Sequence, residues 1–377
     1  MDACSIDFHK KNMIMKTSSD MMRHSSIAAL LVLLMGVTAA ATTMAEGVSA
    51  EVSLEDTAEP EKPEDTWKAP WRGTMFVYRN VATAISLNKD AELGYNPYYA
   101  MAFSFLPKWW IGDVFNASLG LTLTRELTHS DYTTEEGETE VSDFTLKLGA
   151  SNFVTIPVLD IGISASLGFV APTSKFSRAK TMIMAIKPGL ALSRNFDVLS
   201  GIGLSYAFGF TKKFHEYTTS QKEEPSINYG VATGDYGNYM NTGVRNDSWG
   251  ISNTFGLNIQ FVEWLGVGAN VTLLHSWLYE QDDTDTVVDE GTGFDLPTSE
   301  ETYGSDVDVR YIMVYGVEIS INPIPALGIG IGAETANNQL APDSTYQKPF
   351  FNRYTSIYLD LRLNFAGLVS QLTSSEE

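Results

Sequence analysis

Three features of the chain predict an all-β fold: a transmembrane antiparallel up-and-down β-barrel of about twelve strands, with ten to fourteen open. Apolar and polar residues alternate with a period of two over segments of about 10–16 residues, which gives each strand one apolar and one polar face. Such segments exceed the usual soluble strand and suit a tilted crossing of a bilayer. The polar face is mostly Gly, Ser, Thr and Asn, with few Lys or Glu, and the connections are alternately short and long.

Composition narrows the function classes. The 377 residues carry a net charge of −21, with 44% hydrophobic and 19% charged residues. A phosphate backbone needs a basic surface, so nucleic acid is not an expected partner. The single cysteine, Cys4, rules out a disulfide scaffold and a cysteine zinc site. Residues 1–45 read as a signal peptide: Lys10, Lys11, Lys16 and Arg23 precede the apolar run Ile27 to Ala41, and small residues follow up to Ala45. Residues 46–71 are rich in Glu, Asp, Pro and Ala. They bury too little apolar area to offset ordering entropy and read as a flexible acidic periplasmic tether.

Expected strands are 73–87, 98–106, 112–127, 143–156, 159–171, 181–193, 198–211, 248–262, 264–278, 307–322, 326–336 and 353–365. The last shows the pattern best: Ile357, Leu359, Leu361, Leu363 and Phe365 alternate with Ser356, Tyr358, Asp360, Arg362 and Asn364. An even count leaves both chain ends on one side. Segments 73–87 and 181–193 are the least regular. Arg79 falls on the lipid face of the first, and Pro188 removes a ladder donor from the second. Short connections are expected at Pro107-Lys108-Trp109-Trp110, Pro157-Val158, Arg194 to Asp197, Val262 to Trp264 and Asn322 to Pro325. Trp71, Trp109, Trp110 and Trp264 gather at that end. Trp249 and Trp277 gather at the other, with Tyr98, Tyr99, Tyr279, Tyr311 and Tyr354. Two aromatic belts mark the two interfaces of a membrane.

On these residues, 72–365 resembles a bacterial outer-membrane β-barrel of the porin or channel type. The final strand, Ile357, Leu359, Leu361, Leu363 and Phe365, resembles the β-signal read by barrel assembly machinery. It departs from the usual pattern in that AGLVSQLTSSEE follows Phe365, which implies a short periplasmic tail over 366–377. The resemblance implies short periplasmic turns and long extracellular loops. It implies location in the outer membrane, with lipid and lipopolysaccharide as surroundings.

Catalysis is not expected. His129, His215 and His275 have no lipase-type Ser and Asn arrangement, and HExxH, P-loop and nucleophile-elbow motifs are absent from the sequence. No cofactor or resident metal is implied. The stretch 279–306 is acidic, with Asp282, Asp283, Asp285, Asp289 and Glu290 as candidates for attracting cations, Ca²⁺ or Mg²⁺ included. It lacks a full calcium-loop spacing. Charges expected to face the lumen are Glu126, Lys147, Asp160, Lys187, Arg310, Glu318, Glu334, Asp360 and Arg362, because a wet lumen tolerates charge that lipid does not. They read either as pore lining or as salt-bridge bracing of a closed barrel. Small inward residues such as Gly162, Ser164, Gly266, Gly268, Gly328 and Gly330 are expected to keep the lumen open. The expected function is a channel for passive diffusion of small solutes. The alternatives are a surface barrel whose acidic loops bind a partner or divalent ions, and, third, a barrel hydrolase.

Overall fold

A computed structural model describes residues 69–84, 98–128, 136–220, 245–280, 308–339, 345–346, 352 and 354–374. The expected signal peptide, the tether up to residue 68, His129 and the acidic candidates Asp282, Asp283, Asp285, Asp289 and Glu290 lie outside the described residues.

The described chain forms β1 (Met75–Thr83), β2 (Tyr99–Leu106), β3 (Lys108–Ile111), β4 (Phe115–Glu126), β5 (Thr139–Val141), β6 (Phe144–Ile156) and β7 (Ile161–Ala171). A short helix, α1 (Lys175–Ala179), precedes β8 (Met182–Phe196), β9 (Gly201–His215), β10 (Asp247–Val262) and β11 (Leu265–Leu278). Then come β12 (Val309–Ile324), β13 (Leu327–Asn338), β14 (Thr355–Asn364) and a second helix, α2 (Phe365–Ser374).

Consecutive wall strands pair antiparallel, and β1 pairs with β14 from Met75↔Asn364 to Thr83↔Ser356. That closes the sheet and removes its edges. β2 and β3 both pair with β4 and act as one strand interrupted at Pro107. β5 pairs only with the far end of β4, in line with β6. The described residues therefore build a closed wall of twelve strands, as alternation predicts.

Five differences from the sequence expectations have local causes. The first short connection is not at Pro107: the Pro107 carbonyl still accepts from Leu119 N at 2.9 Å, so the strand continues to Ile111 and turns near Gly112, at φ +69°. Arg79 does not face lipid. It pairs with Asp360, so Phe76, Tyr78 and Asn80 are the outward residues of β1. Asp160 is not on the lumen wall, because β7 begins at Ile161 and Asp160 sits exposed in the preceding turn at φ +48°. Phe365 does not end a strand: it opens α2, with its N–H donating to Thr74 O at 3.0 Å and its ring 5.1 Å from Phe76. The tail thus includes a helix, held where Gly367 presses against the backbone of Pro325 and Ala326. Finally, Tyr98 and Trp110 leave the belts. Tyr98 is buried with Val81, Ala100 and Tyr358, while Trp110, paired with inward Asn116, lies beside the cations of Arg72 and Lys108.

Elsewhere the pattern holds. Pro188 interrupts the β8–β9 ladder between Ile186 and Gly189, and pairing resumes in the same register. Trp109 and Trp264 are more than half exposed at the short-turn end. Trp249 and Trp277 stack in parallel, 3.8 Å between centroids, at the other. Leu190, Leu204, Phe255, Val317 and Ile331 stand exposed on the outer face between them.

Candidate functional site

The inner wall of β1, β12, β13 and β14 carries a continuous chain of charges. Strand parity sets it up: Leu359 and Val317 point outward and are about 40% exposed, while their neighbours Asp360 and Glu318 point inward and are 0% and 7% exposed. Arg79 donates from Nε to Asp360 Oδ1 and from Nη2 to Asp360 Oδ2, each at 2.8 Å. Arg362 Nη2 donates to Asp360 Oδ2 at 2.9 Å. Arg362 also forks onto Glu318, Nη1 to Oε1 at 2.6 Å and Nη2 to Oε2 at 2.5 Å. Tyr358 OH donates to Glu318 Oε2 at 3.2 Å, and the Arg79 guanidinium carbon lies 4.1 Å from the Tyr358 ring centroid. Two bidentate forks joined through one carboxylate fix the geometry of all four ions.

Glycine makes that reach possible. Glu318 is on β12 and Arg362 on β14, so β13 lies between them, and strands two apart are separated by roughly 9–10 Å. The pair meets above Gly330, where a Cβ would sit 2.9 Å from Glu318 Oε2 and 3.0 Å from Arg362 Nη2. A Cβ on Gly332 would overlap the Tyr358 ring. The same device recurs around the wall. Asn152 lies over Gly162, Gln260 over Gly266, and Asn270 over Gly316. The inward glycines are seats on which polar side chains lie flat, a role more specific than the open space expected of Gly162, Gly266 and Gly330.

The remaining candidates are dispersed. Glu334 on β13 is within electrostatic reach of Arg79 and Asp360. Arg310 donates from Nη2 to Arg245 O at 3.1 Å, and Arg245 bridges to Asp308 at 2.9 Å, which ties down the long-loop rim. Lys147 and Lys187 share the inward parity of Ser118 and Gly168 on β4 and β7. Glu126, 1% exposed, accepts from Thr128 Oγ1 at 3.1 Å at the top of β4. Sequence reading missed Arg79 and Tyr358. The signal for Arg79 was available: assigning aromatic Phe76 and Tyr78 to the outer face turns Arg79 inward.

Above the spanning part of the wall, α1 rests on a small polar cluster. Asp143 accepts from Ser174 N at 2.8 Å and from the Ser177 hydroxyl, and Lys175 bridges to Glu138 at 2.6 Å and contacts Glu140. Burial pushes the Glu140 carboxyl up to about 7, against the pull of Lys175 and with the push of Glu138 and Glu126. The folded state therefore holds this proton more tightly than the unfolded chain does. That contribution to stability is complete below the ordinary Glu range and is lost as pH rises through about 7. Amide exchange across α1, corrected for intrinsic rates, should accelerate about three- to tenfold between pH 5 and pH 8. Glu140→Gln should flatten that dependence; an unchanged slope would show that Glu140 does not govern the helix.

Among the described residues, no three His, Cys, Asp or Glu side chains come together as metal ligands. His215 stacks edge-on against Tyr279, and His275 stands with Trp277 and Tyr311 on the outer face.

A closed antiparallel wall that is apolar outside, belted by aromatics and charged inside defines a transmembrane β-barrel of the outer-membrane type. No family model matches the chain, and no curated protein matches it. Among solved structures it is similar to an outer membrane channel from Pseudomonas putida F1, at 8% identity over 81% of this chain and 100% of that one, TM-score 0.48. It is also similar to the NanC porin, at 9% identity over 77% and 98%, TM-score 0.39. A third is LpxR from Salmonella typhimurium, at 11% identity over 77% and 100%, TM-score 0.32.

Proposed function

We propose that this barrel is a channel that lets small hydrophilic solutes diffuse across the outer membrane, without catalysis and without a cofactor. The observation that carries this reading is the lumen wall itself. Its central charges are compensated pairwise, Arg79 with Asp360 and Arg362 with Glu318, and Ser, Thr, Asn and Gly recur at the inward positions around them beside Lys147, Lys187 and Glu334, a lining suited to water. Compensated pairs leave little net field at mid-wall, so charge preference falls to the acidic stretch 279–306, which enriches cations at the mouth.

The test is conductance of the refolded mature chain in a planar bilayer under a KCl gradient. Stable steps with a cation-selective reversal potential are expected. Neutralising Asp282, Asp283, Asp285, Asp289 and Glu290 should move that potential toward zero selectivity without abolishing the steps. Silence from a chain that retains heat-modifiable gel mobility would sink the channel reading. A second reading then follows from the same four-ion band: a structural surface barrel braced by salt bridges, whose acidic loops meet a partner or divalent ions.

A further inference from the structure

The outer face of β8–β11 departs from a smooth lipid-facing wall. A groove of about 590 Å³ runs across it, lined by Arg194 at one end and by Leu204, Tyr206, Phe255, Leu257 and Ala269. Register confirms that these side chains share the outward face: Arg194 pairs with Leu204, Leu204 with Leu257, and Leu257 with Ala269. The depth comes from Ala269, the smallest residue in a row otherwise made of leucine and arginine.

Arg194 is the unusual member. A guanidinium on the lipid side of a barrel is costly, less so near the headgroups than at mid-depth. Arg194 lies two residues before the end of β8, at the short-turn side and therefore at the periplasmic leaflet. Its guanidinium carbon packs 4.5 Å from the centre of the Phe196 ring. Its Nε is buried and has no hydrogen-bond partner among the described residues. A buried charged donor without an acceptor is an expensive arrangement. An anion arriving from the membrane would meet the terminal nitrogens of the same guanidinium, which are not shielded in this way.

We propose that this groove binds one phospholipid of the periplasmic leaflet, with its phosphate diester on Arg194 and an acyl chain laid along Leu204, Leu257 and Ala269. The guanidinium offers the planar donor fork that suits phosphate oxygens, and the groove supplies the apolar floor immediately beside it. The inference is independent of whether the lumen conducts, because every residue in it is on the outer face.

The test uses native mass spectrometry of the refolded full chain, delipidated in detergent and titrated with phosphatidylglycerol. Diacylglycerol of the same chain length and inorganic phosphate serve as comparators. One phosphatidylglycerol should be retained by the wild type, and neither comparator should match it. Arg194→Gln should lower that retention at least about tenfold, the effect of losing a charged hydrogen bond. Arg194→Lys should keep part of it, and Ala269→Phe, which fills the groove, should lower it with Arg194 intact. Heat-modifiable mobility confirms that each variant is folded. Equal retention of diacylglycerol, equal retention by Arg194→Gln, or no retained phospholipid would each overturn the proposal.

Discussion

Replacing Asp360 with Ala should be among the most damaging single changes in the wall. The side chain is fully buried and is shared by two guanidinium groups, Arg79 on β1 and Arg362 on its own strand. Removing it leaves Arg79 without its bidentate partner and brings two like charges face to face across the closing seam of the barrel. Breaking one side of a buried ion pair costs about 3–5 kcal/mol, and here the deficit falls where β1 and β14 must zip together. The expected result is a lower urea midpoint for the refolded barrel in detergent and a lower temperature for loss of the heat-modifiable band. The double variant Asp360→Ala, Arg79→Ala should recover part of the loss, because it also removes the stranded charge. A double variant as unstable as the sum of its single changes would show that the two residues do not act as a pair.

The strands were legible because a membrane barrel writes its structure into side-chain parity. One face meets lipid and the other meets water, so a period of two survives along β12 and β14 without help from tertiary context. What parity cannot supply is the starting phase of a short or irregular strand. In β1 the polar residues Arg79 and Asn80 are adjacent, so the polar residues alone leave the phase open. The aromatics Phe76 and Tyr78 favour Arg79 as the inward one, and the partner strand, with Asp360 opposite Arg79, fixes it. Asp160 and Phe365 failed for a related reason. Both have the correct parity but lie one residue beyond the ladder, where a left-handed turn conformation in one case and a helix start in the other end the alternation.

The candidate site was half legible. Glu318, Asp360 and Arg362 declare themselves as charges at inward positions of greasy strands. Their connection does not, since Glu318 and Arg362 are 44 residues apart and separated by a whole strand. The link is visible only once β13 is laid between them and its glycines are seen to be the gap through which the side chains meet. Read along one strand, Gly328, Gly330 and Gly332 look like absent side chains and hence open lumen. Read across three strands, they are what permits the cross-strand bridge.

That argument carries the other large effect. Gly330→Leu should cut the bridge without removing any charge. The new Cβ would start 2.9 Å from Glu318 Oε2 and 3.0 Å from Arg362 Nη2, and the remaining carbons would project into the space the fork occupies. Glu318 and Arg362 would then separate, each losing charged hydrogen bonds, and overpacking adds about 1–3 kcal/mol. A substitution on β13 should therefore destabilise the barrel about as much as Glu318→Ala does on β12. Joining the two tests the mechanism: Gly330→Leu placed in a Glu318→Ala background should cost much less than in the wild type, because the bridge is already gone and its space is vacant. The measurement is the urea midpoint of the four proteins in the same detergent. If Gly330→Leu costs the same in both backgrounds, the glycine serves the backbone of β13 alone, and the bridge does not depend on it.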